Sequence, residues 1–509
     1  MTTTITPYRS RLQPAHAGFG GLLLAEWTKF RTVRAWTIVL GVAAVATAAV
    51  CLLGAAGSST GGGAQDTYGP DGTAVVDVFR YTHRPLTGDG TLTVRVTGLS
   101  SADGRTVEPW AKAGLLVKRN LTPGSAYAAV LATPTHGVRM QWDFTHDTAG
   151  SRTDVTTTPR WLRLTRTGDH LTGYESPDGR TWTKIRDVRL PGLPHTVQVG
   201  LFTGTPPHED VRRAFGGTSE TYDGGQATGT FDHLSLRGTS AASWAGTDMG
   251  PALPDGPAPH NAPPAGTTTV SASGTYTLTG HGDIAPAQDG PDTVQMSFQG
   301  VFFAVLFMVA LGTLFVTAEY KRGLIRTTFT ATPARLKVLA AKTVVIIAVT
   351  FTTGLAAVAV GFTLAQHALR SNGFTPPRFP ELSVLDHPAP RAVVGSAALL
   401  SLVAVLALAV GVILRNSAGT IATVVVLVLL PQILSFALPL PAAQWLLRVT
   451  PAAAFAVQQG VTRYPQVTYN CLPESGCYPL SPWHGLAVLA AYTAAALLLA
   501  AWSLRRRDA

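Results

Sequence analysis

The stretch VFFAVLFMVALGTLFVTAEYKRGLIRTTFTATPARLKVLAAKTVVIIAVTFTTGL, residues 301–355, holds two apolar runs separated by a short basic segment. A helix needs about 20 apolar residues to cross the ~30 Å hydrocarbon core of a bilayer. Both runs reach that length once their flanks are included. The stretch therefore predicts two membrane helices joined by a compact charged connection.

Four more apolar runs give the chain six candidate spans. All six lack Asp, Glu, Lys and Arg and are rich in Ala, Val and Leu, without the alternation of a barrel strand. The charge-free runs are 35–65, 293–318, 343–369, 392–414, 416–447 and 475–504. Because so many long apolar runs are exceptional in a soluble chain, the sequence predicts an α-helical polytopic membrane protein.

A large insert separates the first two predicted spans. The predicted membrane helices are 35–57, 293–318, 338–366, 392–414, 416–440 and 485–504. The remaining predicted segments are an N-terminal part with an interfacial helix (1–34), the insert (58–292), a coupling loop (319–337), outer loops (367–391 and 441–484) and a tail (505–509). The second outer loop is predicted to contain re-entrant or short helices.

The net charge of +10 is concentrated beside the apolar runs. Residues 58–292 hold 19 basic and 23 acidic side chains, whereas the rest of the chain holds 20 basic and 6 acidic ones. With the N-terminus in the cytoplasm, the inside segments hold 15 Lys and Arg and the short outside loops hold 5. This bias predicts that both termini lie in the cytoplasm and the insert outside, and it argues against nucleic acid as a partner.

The insert carries short alternating runs divided by turn residues, which is typical of an antiparallel β-sandwich. YESPDGRTWTKI (174–185) predicts a hairpin, because Pro and Gly pre-set its turn. We predict the sandwich over about 75–238, a Pro/Gly-rich linker over 239–266 and extra strands over 267–286. With both ends tethered to membrane helices, the domain is expected to hang just outside the membrane.

WAKAGLLVKR (110–119), SAYAAVLAT (125–133) and the SPDGRTW hairpin resemble the concanavalin-like, laminin-G-like sandwich of many carbohydrate-associated proteins, a jelly-roll-like all-β fold. No E-x-D-x-x-E motif supplies the paired carboxylates of a polysaccharide-cleaving enzyme. We therefore predict no catalytic residues and no metal ligands. Four tryptophans could stack on sugars or belong to the core, and core is the commoner role: Trp110, Trp142, Trp161 and Trp182.

Cys471 and Cys477 flank a turn-forming Pro-Glu-Ser-Gly segment in the predicted second outer loop. An oxidising compartment favours a disulfide between them. A metal site is the weaker alternative, because His484 is the only histidine nearby.

AEWTKFRTVR (25–34) and AEYKRGLIRTTFTATPARLKVLAAK (318–342) resemble the permease subunit of ABC-2-type ABC transporters, over nearly all of the chain except the insert. In that family the segment after the second helix couples the permease to its ATPase. The resemblance implies these coupling residues: Glu319, Tyr320, Lys321, Arg322, Gly323, Arg326, Thr327 and Thr328. It implies a second contact at the interfacial helix through Glu26, Trp27, Lys29 and Phe30. Independently of the resemblance, the amphipathic pattern of that helix predicts that Glu26 faces water, and the position of Lys342 near a helix end predicts that it snorkels.

The resemblance implies a permease subunit of an ATP-driven transporter, with export as its role, in the cytoplasmic membrane of a bacterium. The chain has no G-x-x-x-x-G-K-[ST] motif, so ATP and Mg²⁺ are expected on a separate ATPase subunit and no cofactor on this chain. Paired ATP sites imply a permease homodimer or a heterodimer with a paralogue. The alternative is a membrane-anchored carbohydrate-binding or sensory protein, in which the insert binds a glycan.

Overall fold

The computed structural model describes two parts, a bundle of long apolar helices and a β-sandwich insert. The described residues are 18–60, 67–214, 217–240, 242–250, 264–287, 291–321, 323, 334–468 and 470–506.

Helices form both ends of the described chain. They are α1 (Phe19–Thr32), α2 (Arg34–Ala56), α3 (Thr293–Met296), α4 (Gln299–Lys321), α5 (Arg335–Ser371), α6 (Ala389–Leu414), α7 (Ser417–Val428), α8 (Leu430–Ser435), α9 (Leu440–Val449) and α10 (Pro482–Arg506), with 3-10 helices at Pro451–Gln458 and Pro473–Ser475. Within the described ranges, six helical segments are long and apolar enough to cross a membrane: α2, α4, α5, α6, α7 with α8, and α10.

Helix α6 lies at the centre of the bundle and has the most buried apolar surface of the six, with α4, α5 and α10 packed around it. Two glycines on α4 let backbones approach closely. A Cβ added at Gly312 would lie 2.1 Å from the Ala404 carbonyl oxygen of α6, and one at Gly300 would lie 2.1 Å from that of Thr47 on α2. Such small residues allow the close van der Waals contact that holds apolar helices together.

Three predicted helices differ clearly from the observed ones. The predicted 293–318 helix begins as α3, is interrupted after Met296 and continues as α4 from Gln299. Helix α5 is 37 residues long and begins at Arg335, so it extends beyond both ends of the predicted 338–366 span. The predicted 416–440 helix is interrupted at Leu429, and α8 then begins with Pro431 near its N-terminus. Proline lacks the N–H that would continue the α7 hydrogen-bond ladder, which accounts for the break.

Eighteen strands are described in the insert. They are β1 (Thr67–Tyr68), β2 (Ala74–Asp77), β3 (Phe79–Ser101), β4 (Lys112–Lys118), β5 (Tyr127–Thr133), β6 (Gly137–Trp142), β7 (His146–Ala149), β8 (Arg160–Thr167), β9 (His170–Ser176), β10 (Thr183–Arg189), β11 (Thr196–Gly204), β12 (His208–Ala214), β13 (Gly217–Asp223), β14 (Ala227–Thr239), β15 (Ala245–Met249), β16 (Thr267–Val270), β17 (Tyr276–Gly280) and β18 (Ile284–Pro286).

The long strand β3 belongs to both layers of the sandwich. Its first half pairs with β11, and β4, β5, β6 and β7 follow in order. Its second half pairs with β8 and β14, and β9 and β10 continue from β8. The core between the layers is formed by inward side chains such as Val94, Leu162, Leu115 and Val130, each fully buried. The predicted sandwich is confirmed.

The layer formed by β4, β5 and β11 is covered on its other side by the small sheet of β1, β2 and β18. Two buried ion pairs join this cover to the layer: Lys118 Nζ lies 2.7 Å from Asp77, and Lys112 Nζ lies 2.6 Å from Asp283. Burial lowers the pKa of Lys118, and Asp77 opposes that shift. Removing either partner would leave a buried charge unpaired.

The predicted linker and hairpin have different outcomes. β15 lies within the predicted linker 239–266 and pairs with β3, so that part of the prediction is wrong: its Thr-Asp-Met segment completes the edge of a sheet.

The predicted hairpin is confirmed by the pairing of β9 with β10. At its turn, the Asp178 carboxylate accepts hydrogen bonds from the backbone N–H groups of Arg180 and Thr181. These bonds hold the pKa of Asp178 at about 2.

Candidate functional site

The first candidate site lies at the end of the bundle away from the insert, termed the distal end, where α4, α6 and α10 end and α2 and α5 begin. Helix α1 packs here against α5. Residues three and four apart lie on one face of a helix, which brings Glu26, Lys29 and Phe30 of α1 to the bundle. Glu26 and Phe30 are buried, each only 3% exposed.

A buried ammonium group links three helices at the distal end. Lys342 Nζ of α5 lies 2.7 Å from Glu26 Oε2 of α1 and 2.7 Å from Glu319 Oε1 of α4. Lys29 Nζ lies on the solvent side of this group, 2.9 Å from Glu26 and 3.4 Å from Glu319. We call these four side chains the charge cluster. Two carboxylates and two ammonium groups balance its charge.

Aromatic rings shield the cluster from one side. The Phe315 ring lies 4.8 Å from Lys342 Nζ, in the geometry of a cation–π contact. Phe30 and Trp36 each pack edge-on against Phe315, with ring centroids 5.9 and 5.1 Å apart. In such surroundings the attraction between opposite charges is stronger than in water, and an unpaired charge is correspondingly costly.

The structure corrects two expectations about this region. Glu26 was expected to face water, but its carboxylate is buried because Lys342 and Lys29 neutralise it. Lys342 was expected to snorkel from its helix end, but its ammonium is 3% exposed and paired with two carboxylates. Neither carboxylate of the cluster faces outward to meet another chain.

The other predicted coupling residues have different positions. Tyr320 is half-buried, and its ring lies 5.1 Å from the Arg415 guanidinium. Trp27, Lys321 and Gly323 are exposed. The predicted coupling residues outside the described part of the chain are Arg322, Arg326, Thr327 and Thr328.

Sequence reasoning missed Lys342, Trp36 and Phe315 as members of the site. A usable signal was present, because Glu319 ends one charge-free run and Lys342 immediately precedes the next. Opposite charges at the facing ends of two adjacent apolar runs indicate a pair between neighbouring helices.

The second candidate site joins the insert to the opposite end of the bundle. The hairpin of β12 and β13, termed the arm, pairs only with itself among the described strands. Arg213 near its tip is buried, and its Nη1 donates to the carbonyl oxygens of Ser435 (2.9 Å) and Leu438 (3.0 Å) at the end of α8. Arg213 also pairs with Glu474, which accepts a second hydrogen bond from Thr218 Oγ1 at 2.6 Å.

A cation at the C-terminus of a helix satisfies carbonyl groups that have no partner within the helix, and it complements the helix dipole. A second contact joins the insert to the segment before the disulfide. Gln466 Nε2 donates to the Phe144 carbonyl oxygen at 3.0 Å. Asp143 and Phe144 both have positive backbone φ angles, 45° and 64°, which residues other than glycine seldom adopt. The insert is therefore docked on this end of the bundle.

The segment that receives the arm is itself braced. Cys471 and Cys477 form a disulfide, and Arg463 Nη2 donates to the Tyr478 carbonyl oxygen at 2.5 Å. Asp292, before α3, accepts hydrogen bonds from the backbone N–H groups of Gly460 and Val461. Burial raises the pKa of Asp292, and these N–H donors oppose the rise.

Two cavities lie between the insert and the bundle. One has a volume of about 880 Å³ and lies beside the arm, bounded by Glu209, Tyr222, Asp283 and Glu474. The other has a volume of about 480 Å³ and is bounded in part by Asp292, Arg378 and Tyr464. Within the described ranges no group of three or more His, Cys, Asp and Glu side chains could hold a metal ion.

No family model matches the chain, and no curated protein matches its sequence. The crystal structure of a functionally unknown protein from Saccharomyces cerevisiae is similar to part of it, with a TM-score of 0.22 and 18% sequence identity. The match covers 31% of this chain and 73% of the yeast protein. A TM-score this low carries no argument about fold or function.

Lys342→Met tests the energetic role of the charge cluster. The substitution leaves Glu26 and Glu319 buried together with Lys29 alone, and breaking a buried ion pair in this way costs about 3–5 kcal/mol. The thermal unfolding temperature of the purified full chain should therefore fall clearly. Lys29→Met is the matched control and should shift it much less, because Lys29 is 41% exposed. Equal unfolding temperatures for Lys342→Met and the unsubstituted chain would contradict the role.

Arg213→Met tests the docking of the arm. Loss of the guanidinium leaves the end of α8 and Glu474 without this partner, so amide hydrogen exchange in β12 and β13 should become faster. The neighbouring Arg212→Met is the matched control, because the Arg212 side chain is 81% exposed and, among the described residues, pairs with Asp210 of its own strand. Unchanged exchange in Arg213→Met would show that the arm does not depend on this contact.

Proposed function

We propose that the chain is the membrane-spanning permease subunit of an ATP-driven ABC-2-type transporter, an exporter that works with a separate ATPase subunit. The observation that carries the proposal is the charge cluster. It fastens α1 to the end of α4 and the beginning of α5, beside the segment that the family resemblance assigns to ATPase coupling.

The proposed topology has six spans, both termini in the cytoplasm and the insert outside, in the cytoplasmic membrane of a bacterial cell. The arrangement of charges supports it. Lys321, Arg335, Arg415 and Arg506 all lie at the distal end, as the excess of basic residues on cytoplasmic segments requires. The insert contacts the other end of the bundle, which is then the external one.

The charge cluster suggests how force from an ATPase reaches the helices. Exposed side chains at the distal end, such as Trp27 and Lys321, are available to a partner. A push on either would move α1, α4 and α5 together, because Lys342 is bonded to carboxylates on the other two helices. Glu26 and Glu319 thus position the coupling surface and do not themselves touch the ATPase.

At the external end the arm would carry the same movement to the insert. Arg213 bonds to the end of α8, where the loop between the fifth and sixth spans begins, and to Glu474 within that loop. A displacement of α8 would therefore move the insert as well. In the proposed cycle, closure of an ATPase pair at the distal end opens the path between two permease copies toward the outside.

ATP and Mg²⁺ would be bound and hydrolysed entirely by the partner subunits, so the role of this chain is mechanical. A second copy of this chain or a paralogue would complete the transporter. The second candidate, a membrane-anchored glycan-binding or sensory protein, is favoured by the basic side chains and half-buried tryptophans on one face of the insert. That second function gives no role to the charge cluster, which joins three helices at the distal end.

The proposal is tested with the triple variant Glu26→Gln, Glu319→Gln and Lys342→Met, in which the buried charges are removed together. The one charge of the cluster that remains, the Lys29 ammonium, is on a side chain that is 41% exposed and can be hydrated. The variant should therefore fold, since replacing a whole buried ion group is often neutral or stabilising. Reconstituted in liposomes with its co-purified ATPase, it should lose most of the permease-dependent stimulation of ATP hydrolysis.

Lys337→Met is the matched control, an exposed cation near the start of the same helix. It should leave the stimulation unchanged. A correctly folded triple variant that stimulates ATP hydrolysis like the unsubstituted chain would refute the coupling role.

A further inference from the structure

The outer face of one sandwich layer carries an unusual set of side chains. This layer consists of β10, β9, β8, the second half of β3, and β14. Paired residues of neighbouring strands point to the same side. The register therefore places Arg163 on β8, Thr93 on β3 and Ser235 on β14 in one row, with Tyr174 on β9 beside Arg163. We call this surface the basic face.

The basic face differs in charge from the rest of the insert. Its outward strand positions hold five basic and two acidic side chains: Arg95, Arg163, Lys184, Arg189 and Arg237, with Asp187 and Asp232. Residues 58–292 as a whole carry more acidic than basic side chains. Positive charge is thus gathered on one surface of an acidic domain, which creates a local field that attracts anions.

Arg163 lies at the centre of the basic face. Its guanidinium stacks 3.7 Å from the Trp182 ring centroid, and its Nε donates to Thr93 Oγ1 at 3.3 Å. In the part of the chain that the structure describes, no carboxylate lies within ion-pair distance of Arg163. Partial burial and the charge of Arg237 lower the pKa of Arg163. Two cations are therefore held near each other on rigid strands without an acid between them.

The neighbouring row adds a second aromatic platform. Arg95 forms a two-point ion pair with Asp232, and its guanidinium lies 5.8 Å from the Trp161 ring centroid. Hydroxyl groups fill the space between the cations: Thr91 and Thr165 lie 3.2 Å apart across neighbouring strands. Flat rings, guanidinium groups and hydroxyls at about 4.8 Å strand spacing form a surface suited to a linear polar chain.

We propose that the basic face binds an anionic polysaccharide chain of the cell surface. The charge selects an anion, and the threonine hydroxyl groups between the cations suit the hydroxyl groups of sugar rings. A lipid surface fits less well, because the large exposed apolar side chains described in the insert, Leu121, Tyr222 and Val270, lie elsewhere. The inference rests on the proposed topology, which places the insert outside the cell, and does not depend on the proposed transport.

Binding of fluorescently labelled polygalacturonate to the full chain in detergent tests the proposal. We expect saturable binding that weakens with added salt, since exposed charges are screened. The double variant Arg163→Gln and Arg237→Gln should weaken it about tenfold, by removing two of the uncompensated charges. The matched control, Arg119→Gln with Arg152→Gln, removes two exposed cations elsewhere on the insert and should leave affinity nearly unchanged.

Three results would overturn the proposal. The first is equal affinity for neutral dextran, which would remove the role of charge. The second is an equal loss of affinity in the control variant, which would indicate nonspecific attraction. The third is tighter binding of a DNA duplex or of phosphatidylglycerol vesicles, which would assign the face to another class of partner. Near-ultraviolet circular dichroism of each variant confirms that the sandwich is intact.

Discussion

The ammonium group of Lys342, held between Glu26 and Glu319, is the interaction on which the helix arrangement at the distal end depends. Each of the three residues lies on a different helix. None could be buried alone, because an unpaired charge among Phe30, Phe315 and Trp36 would be strongly destabilising. The cluster thus requires that α1 lies against the bundle and that α4 and α5 meet there. It fixes the positions of these three helices relative to one another at the distal end.

A similar constraint acts at the other end, through hydrogen bonds to backbone carbonyls. Arg213 is buried only because the end of α8 and Glu474 supply its acceptors. The insert is consequently fixed to the end of the bundle opposite the charge cluster. If force enters at the distal end, as we propose, the two polar contacts would transmit it from the coupling surface to the insert. The apolar helices between them supply stiffness and contribute little directional bonding of their own.

Apolar run length and turn chemistry predicted much of the fold. The helices and the Ser-Pro-Asp-Gly hairpin follow from local signals. Two features escaped because their partners are distant in the chain. The local sequence predicts that Glu26 is a surface acid, because its buried partner Lys342 lies 316 residues later in the chain. β15 reads as linker because Ala245–Met249 shows no alternation of apolar residues, and its partner among the described strands, β3, is distant in the chain.

The central claim, that this chain serves a separate ATPase, is tested most directly by purifying the tagged full chain from its native membrane in mild detergent. The account predicts that an ATPase subunit with a nucleotide-binding motif co-purifies in stoichiometric amount and hydrolyses ATP. A chain that purifies without any such subunit, and retains no ATP hydrolysis under conditions that preserve other membrane complexes, would contradict it.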